Sequence, residues 1–206
     1  QTLSNNNNLG NLSLISKIFQ SCYLGEEQTQ THFENLVNND EINYSRYVFF
    51  YINYLIEQNQ FTKVKEITNQ IDILNSSLLT AQTKNWIDKK EFKKLNQIFS
   101  CENEIDILGE FFFLIANIYS SENEFEESNF YLNISNFLNP KFHFNLSLFV
   151  ENYYNNKNYR KTEKVLDDFD ESDDLYYWYK IKIKTKIISQ ELGQEQAYNF
   201  INSKFK

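Results

Sequence analysis

Apolar positions in this chain recur on a long period. The clearest stretch runs for 34 residues from Gly109 to Phe142 and reads GEFFFLIANIYSSENEFEESNFYLNISNFLNPKF. Large apolar or aromatic side chains stand at its fourth, seventh, eleventh, seventeenth and twenty-fourth positions: Phe112, Ile115, Tyr119, Phe125 and Leu132. Small ones hold the eighth, twentieth and twenty-seventh (Ala116, Ser128 and Ser135), and Pro140 the thirty-second. Steps of three and four place such residues on one face of a helix. The stretch therefore predicts two antiparallel helices of three to four turns, with small residues where the backbones approach and large ones beside them. Pro140 closes the unit, because the residue before a proline avoids the helical region.

The pattern returns along the chain. From His143 it places Leu146, Phe149, Tyr153, Tyr159 and Leu166, with Val150, Thr162 and Phe169 at the small sites. Earlier units begin at Ser45 (Val48, Tyr51, Leu55, Phe61) and Ser76 (Leu79, Trp86, Phe92, Phe99), and a last one at Trp178 (Ile181, Ile188, Ala197, Ile201). A weaker hairpin near Leu9 offers Leu12, Ile15, Phe19, Phe33 and Leu36 after a slip of one residue. These starts lie 31 to 36 residues apart, which predicts an array of units 45–75, 76–108, 109–142, 143–177 and 178–206 behind an N-terminal helical hairpin or cap, 1–44. The glycines agree with that register: Gly25 and Gly193 fall in turns, Gly10 and Gly109 at hairpin starts, and none in a helix interior. One segment points elsewhere. Tyr179 to Ile187 alternates apolar and polar, mostly lysine, with the period of a half-buried strand. We assign it to a helix, because a lone strand has nothing to pair its backbone.

Composition narrows the alternatives. Four glycines and one proline cannot supply the turns of a β-sandwich or the phosphate turn of a dinucleotide fold. A net charge of −8 with only two arginines, Arg46 and Arg160, argues against nucleic acid and against anionic membrane surfaces. No apolar run is long enough to insert in a membrane. The chain opens with Gln1 and has no signal-type segment, as expected either of an expressed piece or of a mature fragment whose targeting segment has been removed. Cys22 and Cys101 fit no metal spacing and are expected to be buried free thiols; a disulfide would require an oxidising compartment.

The unit from Gly109 to Phe142 resembles a tetratricopeptide (TPR) motif, whose repeat is about 34 residues. From Phe130 to Phe205 the chain is also similar to an arrangement found in long bacterial TPR proteins of the exported type. The residues that carry this likeness are Asn139-Pro140, the hairpin after it, the acidic linker Asp167 to Asp174 and the cluster Tyr176-Tyr177-Trp178. The resemblance implies an all-α solenoid of antiparallel hairpins acting as an interaction or assembly factor, without cofactor or catalytic site. It also implies a periplasmic or cell-envelope setting, with the cytoplasm as the alternative, and possible membership of a larger assembly.

In such a stack the first helix of each hairpin lines a concave groove. The positions that face it here give a candidate partner site of Phe49, Asn53, Phe113, Asn117, Glu151, Tyr154, Lys182 and Lys186. Amides that can bond a peptide backbone and aromatics that supply contact area suit an extended or helical protein segment. Phe49 and Phe113 fit packing between helices equally well. A carboxylate clamp is not expected, since Phe49 and Phe113 occupy its lysine position. The acidic run Asp167 to Asp174 lacks the central glycine and bidentate glutamate of a calcium loop, and reads as a solvated connection leading into a helix. Lys180, Lys182, Lys184 and Lys186 spread around a helix rather than forming a patch. His32 and His143 stand alone, and no nucleophile, metal or phosphate motif accompanies them. The expected function is a protein–protein interaction scaffold; the alternative is a regulatory or substrate-docking helical domain of a larger enzyme or secretion machine. RNA-reading repeats would need polar and basic residues at fixed repeat positions, and none recur.

Overall fold

The computed structural model describes residues 6–38, 45–171 and 173–205. Parts of two expected features, the ends of the N-terminal hairpin and Ser172 of the acidic run, lie outside the described residues. Within them the chain forms twelve α-helices and no strand. They are α1 (Asn6–Tyr23), α2 (Thr29–Val37), α3 (Ser45–Glu57), α4 (Phe61–Asn69), α5 (Leu78–Asp88), α6 (Phe92–Ile98), α7 (Glu104–Ser121), α8 (Phe125–Leu138), α9 (Leu146–Asn155), α10 (Tyr159–Leu166), α11 (Asp174–Leu192) and α12 (Gln194–Lys204). A short 3-10 turn, His143–Asn145, precedes α9.

A single turn design closes five of the hairpins. Gly25, Asn59, Lys90, Asn123 and Lys157 all take left-handed backbone angles, with φ between 56° and 65°. The following N–H groups reach back to carbonyls of the preceding helix: Glu26 to Ser21, Gln60 to Leu55, Glu91 to Trp86, Glu124 to Tyr119 and Asn158 to Tyr153, each at 2.8–2.9 Å. This closure satisfies carbonyls that a helix end leaves without partners. The five turns are spaced 34, 31, 33 and 34 residues apart. Seven residues before each turn stand Ile18, Ile52, Thr83, Ala116 and Val150, none more than 1% exposed. Here the first helix meets its surroundings without a gap. Ala116→Leu is expected to overpack this point and cost about 1–3 kcal/mol, read as a lowered denaturant midpoint at unchanged slope.

Gly109 corrects the expected register. It lies inside α7 rather than at a hairpin start, as Gly10 lies inside α1. A Cβ at Gly109 would come within 3.3 Å of Asn139 Cβ and 3.4 Å of the Ser135 carbonyl. The Ser135 hydroxyl donates to the Gly109 carbonyl at 2.7 Å. A glycine there permits the close approach of α7 and α8, which offsets its weak helix propensity.

The chain divides into two compact units, residues 1–142 and 143–206. In the first, α3 is buried around most of its circumference by Tyr47, Phe49, Phe50, Tyr51, Ile52, Leu55 and Ile56. Phe50 meets Phe99 at 4.6 Å, Phe19 at 5.2 Å and Phe142 at 5.9 Å between ring centroids, so α1, α3, the end of α6 and the end of the unit share one aromatic core. The short helix α6 depends on side-chain caps. Asn53 Nδ2 donates to the Leu95 and Phe99 carbonyls (3.1 and 2.8 Å), and Asn139 Nδ2 to Ile98 (2.9 Å). Cys22 and Cys101 are joined in a disulfide, Cα to Cα 5.8 Å, which corrects the expectation of free thiols. Their separation of 79 positions gave no hint of pairing; the approach of α1 to the α6–α7 connection creates it. Helix α1 also packs on α7, so this unit is not a stack in which each hairpin meets only its neighbours.

The second unit buries Phe144, Leu148, Phe149, Val150, Leu166, Phe169, Ile181, Ile183 and Ile187. Its alternating segment is helical throughout, as part of α11. Asp173 starts that helix by accepting from the N–H groups of Leu175 and Tyr176 at 3.0 and 3.4 Å. Lys180 is buried and pairs with Asp167 at 3.0 Å and Glu171 at 2.5 Å. Burial alone would lower its ammonium; the hydrogen bonds to Glu171 and Asp167 outweigh that and raise it. The same bonds hold both carboxyls below their usual range.

Candidate partner-binding groove

Three of the eight residues expected to line a concave groove are interior. Phe49 is fully buried, edge-on to Phe50 and Phe142 at 5.1 and 5.4 Å. Asn53 is 2% exposed and committed to capping α6. Phe113 lies under the Arg46 guanidinium, 3.6 Å from Cζ to the ring centroid. They cannot contact a partner, because close packing of α3 and α7 turns these positions inward. Asn117 is exposed on α7. In the second unit Glu151, Lys182 and Lys186 are exposed, with Lys186 in electrostatic reach of Glu151. Tyr154 is half-buried against Tyr159 at 5.7 Å, so it belongs to the packing of its own hairpin.

Another groove lies between α1 and α7, both first helices of their hairpins. Ile15, Ser16, Phe19, Gln20 and Tyr23 line it from α1; Glu104, Ile107, Leu108, Phe111 and Leu114 line it from α7. Steps of three and four bring each set to one helix face, and the contact of the two helices turns the rows toward each other. The cavity is about 330 Å³, almost wholly apolar, and open along one side. Ile15 and Phe19 form its floor, whereas Tyr23 and Leu108 remain 48% and 45% exposed. Sequence reasoning missed it because the N-terminal hairpin fits the repeat poorly. A signal was present in α7: EIDILGEFFFLIANIYSS is apolar around its circumference, yet only Gly109, Glu110, Phe113 and Ala116 are buried. An all-round apolar helix that is not all buried leaves a face available for contact.

A second cavity, about 500 Å³ and more polar, lies among α2, α3 and α4. The Glu34 carboxylate there pairs with Lys63, accepts from Tyr51 Oη at 2.8 Å and accepts from Gln30 Nε2 at 3.0 Å. Lys63, then Gln30 and Tyr51, hold its pKa at about 2. A carboxylate held there is a permanently charged tie between helices and is poorly matched to acid–base work near neutral pH. At the α1–α2 turn, Ser21 Oγ lies 3.3 Å from His32 Nδ1 and donates to Glu26 Oε2 at 2.7 Å. The acid sits on the serine rather than behind the imidazole, so the order of a Ser–His–acid relay is not met. Among the described residues no cluster of three His, Cys, Asp or Glu side chains is placed to hold a metal, and no helix is long and apolar enough to cross a membrane. No family model, no curated protein and no solved structure matches the chain.

Proposed function

We propose that this chain is a non-catalytic protein-binding scaffold of TPR-like hairpins, and that the groove between α1 and α7 receives a segment of its partner. The observation that carries this reading is the open apolar cavity of about 330 Å³ with half-exposed Tyr23 and Leu108 at its edges. Grooves of this kind gain affinity by burying a few aromatic and aliphatic anchors, each worth about 1.5–3 kcal/mol when fully covered. The repeat character draws support from the five identical turns at near-34-residue spacing. Superhelical stacking belongs to the same proposal only for consecutive hairpins within a unit, since the α1–α7 contact departs from it. The Cys22–Cys101 bond favours an oxidising compartment, in keeping with a cell-envelope setting.

The test is capture of the partner from native extract with a photo-crosslinking residue at Tyr23, comparing wild type with Leu108→Glu. Leu108 is 45% exposed, so the substitution should leave the melting temperature nearly unchanged. Crosslinking is expected to fall at least about tenfold, because a carboxylate would have to be desolvated against apolar walls. Undiminished crosslinking by Leu108→Glu would overturn the reading.

A further inference from the structure

Resting on that reading, we infer that the segment received by the groove is an amphipathic helix with a cationic end. The two rows of apolar side chains run along facing helices, which suits a third helix laying apolar residues at i, i+3, i+4 and i+7 between them. Charge is distributed unevenly about this groove. Tyr23 and Glu104 are lining residues just beyond the cysteines in sequence, and the disulfide holds the Cα atoms of Cys22 and Cys101 5.8 Å apart. Glu27 follows Tyr23, and Glu102 lies between Cys101 and Glu104, so three exposed carboxylates stand close in the chain to one end. Glu26 is engaged elsewhere: its carboxylate accepts from Ser21, which stands on the face of α1 opposite the lining residues. Against them, the ten lining residues include no cation, and α7 carries none. Lys17 of α1 is exposed but does not line the cavity, and Lys141 lies in the field of Asp106. An incoming helix with Lys or Arg at the end that meets Glu27, Glu102 and Glu104 gains attraction there. An acidic helix of the same shape meets like charge.

The experiment measures fluorescence anisotropy with the oxidised full chain and two synthetic helical peptides. Both carry leucines at i, i+3, i+4 and i+7; one has lysines at one end and the other glutamates. The lysine peptide is expected to bind at least about tenfold more tightly, with the preference shrinking as salt rises. The double substitution Glu102→Lys, Glu104→Lys is expected to abolish or reverse that preference. Leu108→Glu separates the groove from general attraction to a chain of net charge −8. It adds a negative charge, so it should strengthen diffuse binding of the lysine peptide but weaken binding in the groove by about tenfold or more. Equal affinities for the two peptides, both lost in Leu108→Glu, would overturn the cationic partner and leave the groove standing. Failure of both peptides to bind, or a lysine peptide held as well or better by Leu108→Glu, would overturn the groove reading and this inference together. Circular dichroism of each variant, unchanged from wild type, accompanies the comparison.

Discussion

Arg46→Ala is expected to destabilise the first unit by about 3–5 kcal/mol, the cost typical of removing one partner of a buried ion pair. Arg46 donates from Nε and Nη2 to the two carboxylate oxygens of Glu110, at 2.8 and 2.5 Å. Its guanidinium also lies 3.6, 5.1 and 5.7 Å from the ring centroids of Phe113, Phe142 and Phe50. Glu110 is only 4% exposed, so loss of the arginine strands a carboxylate in an aromatic interior. Burial raises the Glu110 carboxyl, while Arg46 opposes the rise. A group whose folded pKa is raised binds more protons folded than unfolded, so stability declines as pH climbs through that window. Without Arg46 the rise is larger. The cost of Arg46→Ala should therefore shrink when denaturant melts are repeated at about pH 5 instead of about pH 8. Arg46→Met with Glu110→Leu should recover most of the loss, because a well-packed apolar pair often equals a buried ionic one. A small cost for Arg46→Ala, or one that grows on acidification, would contradict this account. Lys180→Ala in the second unit should do far less, since it leaves Asp167 and Glu171 in water, 67% and 60% exposed.

The helices were legible in the sequence because their determinants are local. Phe61, Phe92, Phe125 and Tyr159 each begin a second helix two residues after a left-handed turn residue. The same count from the turn marks the buried positions of the first helix. Even the alternating segment yielded to this logic. Ile183 and Ile187 share a buried face one turn apart, and Lys180 enters the interior only because Asp167 and Glu171 meet it there.

The binding surface was less legible because it depends on how hairpins close on one another. Repeat positions name the concave face of an ideal stack, and on that basis Phe49, Asn53 and Phe113 should face a partner. Instead α1 reaches α7, α3 is enclosed, and those three side chains become core and cap. The displaced groove still lies between first helices, but its residues are Tyr23 and Leu108. No repeat position assigned either to the surface.

Reduction of the Cys22–Cys101 bond is expected to lower the stability of the first unit by about 4 kcal/mol, and to leave the second unit's transition where it was. The two residues are 79 apart, and closing a loop of that length removes about this much chain entropy from the unfolded state. Both cysteines are buried, at 6% and 4% exposure, so the bond should resist reductant in the native protein and yield once denaturant opens the unit. The measurement is a pair of denaturant melts, with and without reductant, followed by a fluorescence signal from each unit; Trp86 reports the first and Trp178 the second. Cys22→Ala should behave like the reduced wild type and should not respond to reductant. Two free thiols titrated in unreduced, denatured protein, or midpoints indifferent to reductant, would remove the cross-link from the account. The effect should also be felt at the groove. Phe19 and Tyr23 flank Cys22, and Glu104 follows Cys101, so the bond fixes one end of α1 against the connection into α7. Loss of that tie leaves α1 held mainly by Ile15, Ile18 and Phe19, and amide exchange along α1 should rise ahead of exchange in α3.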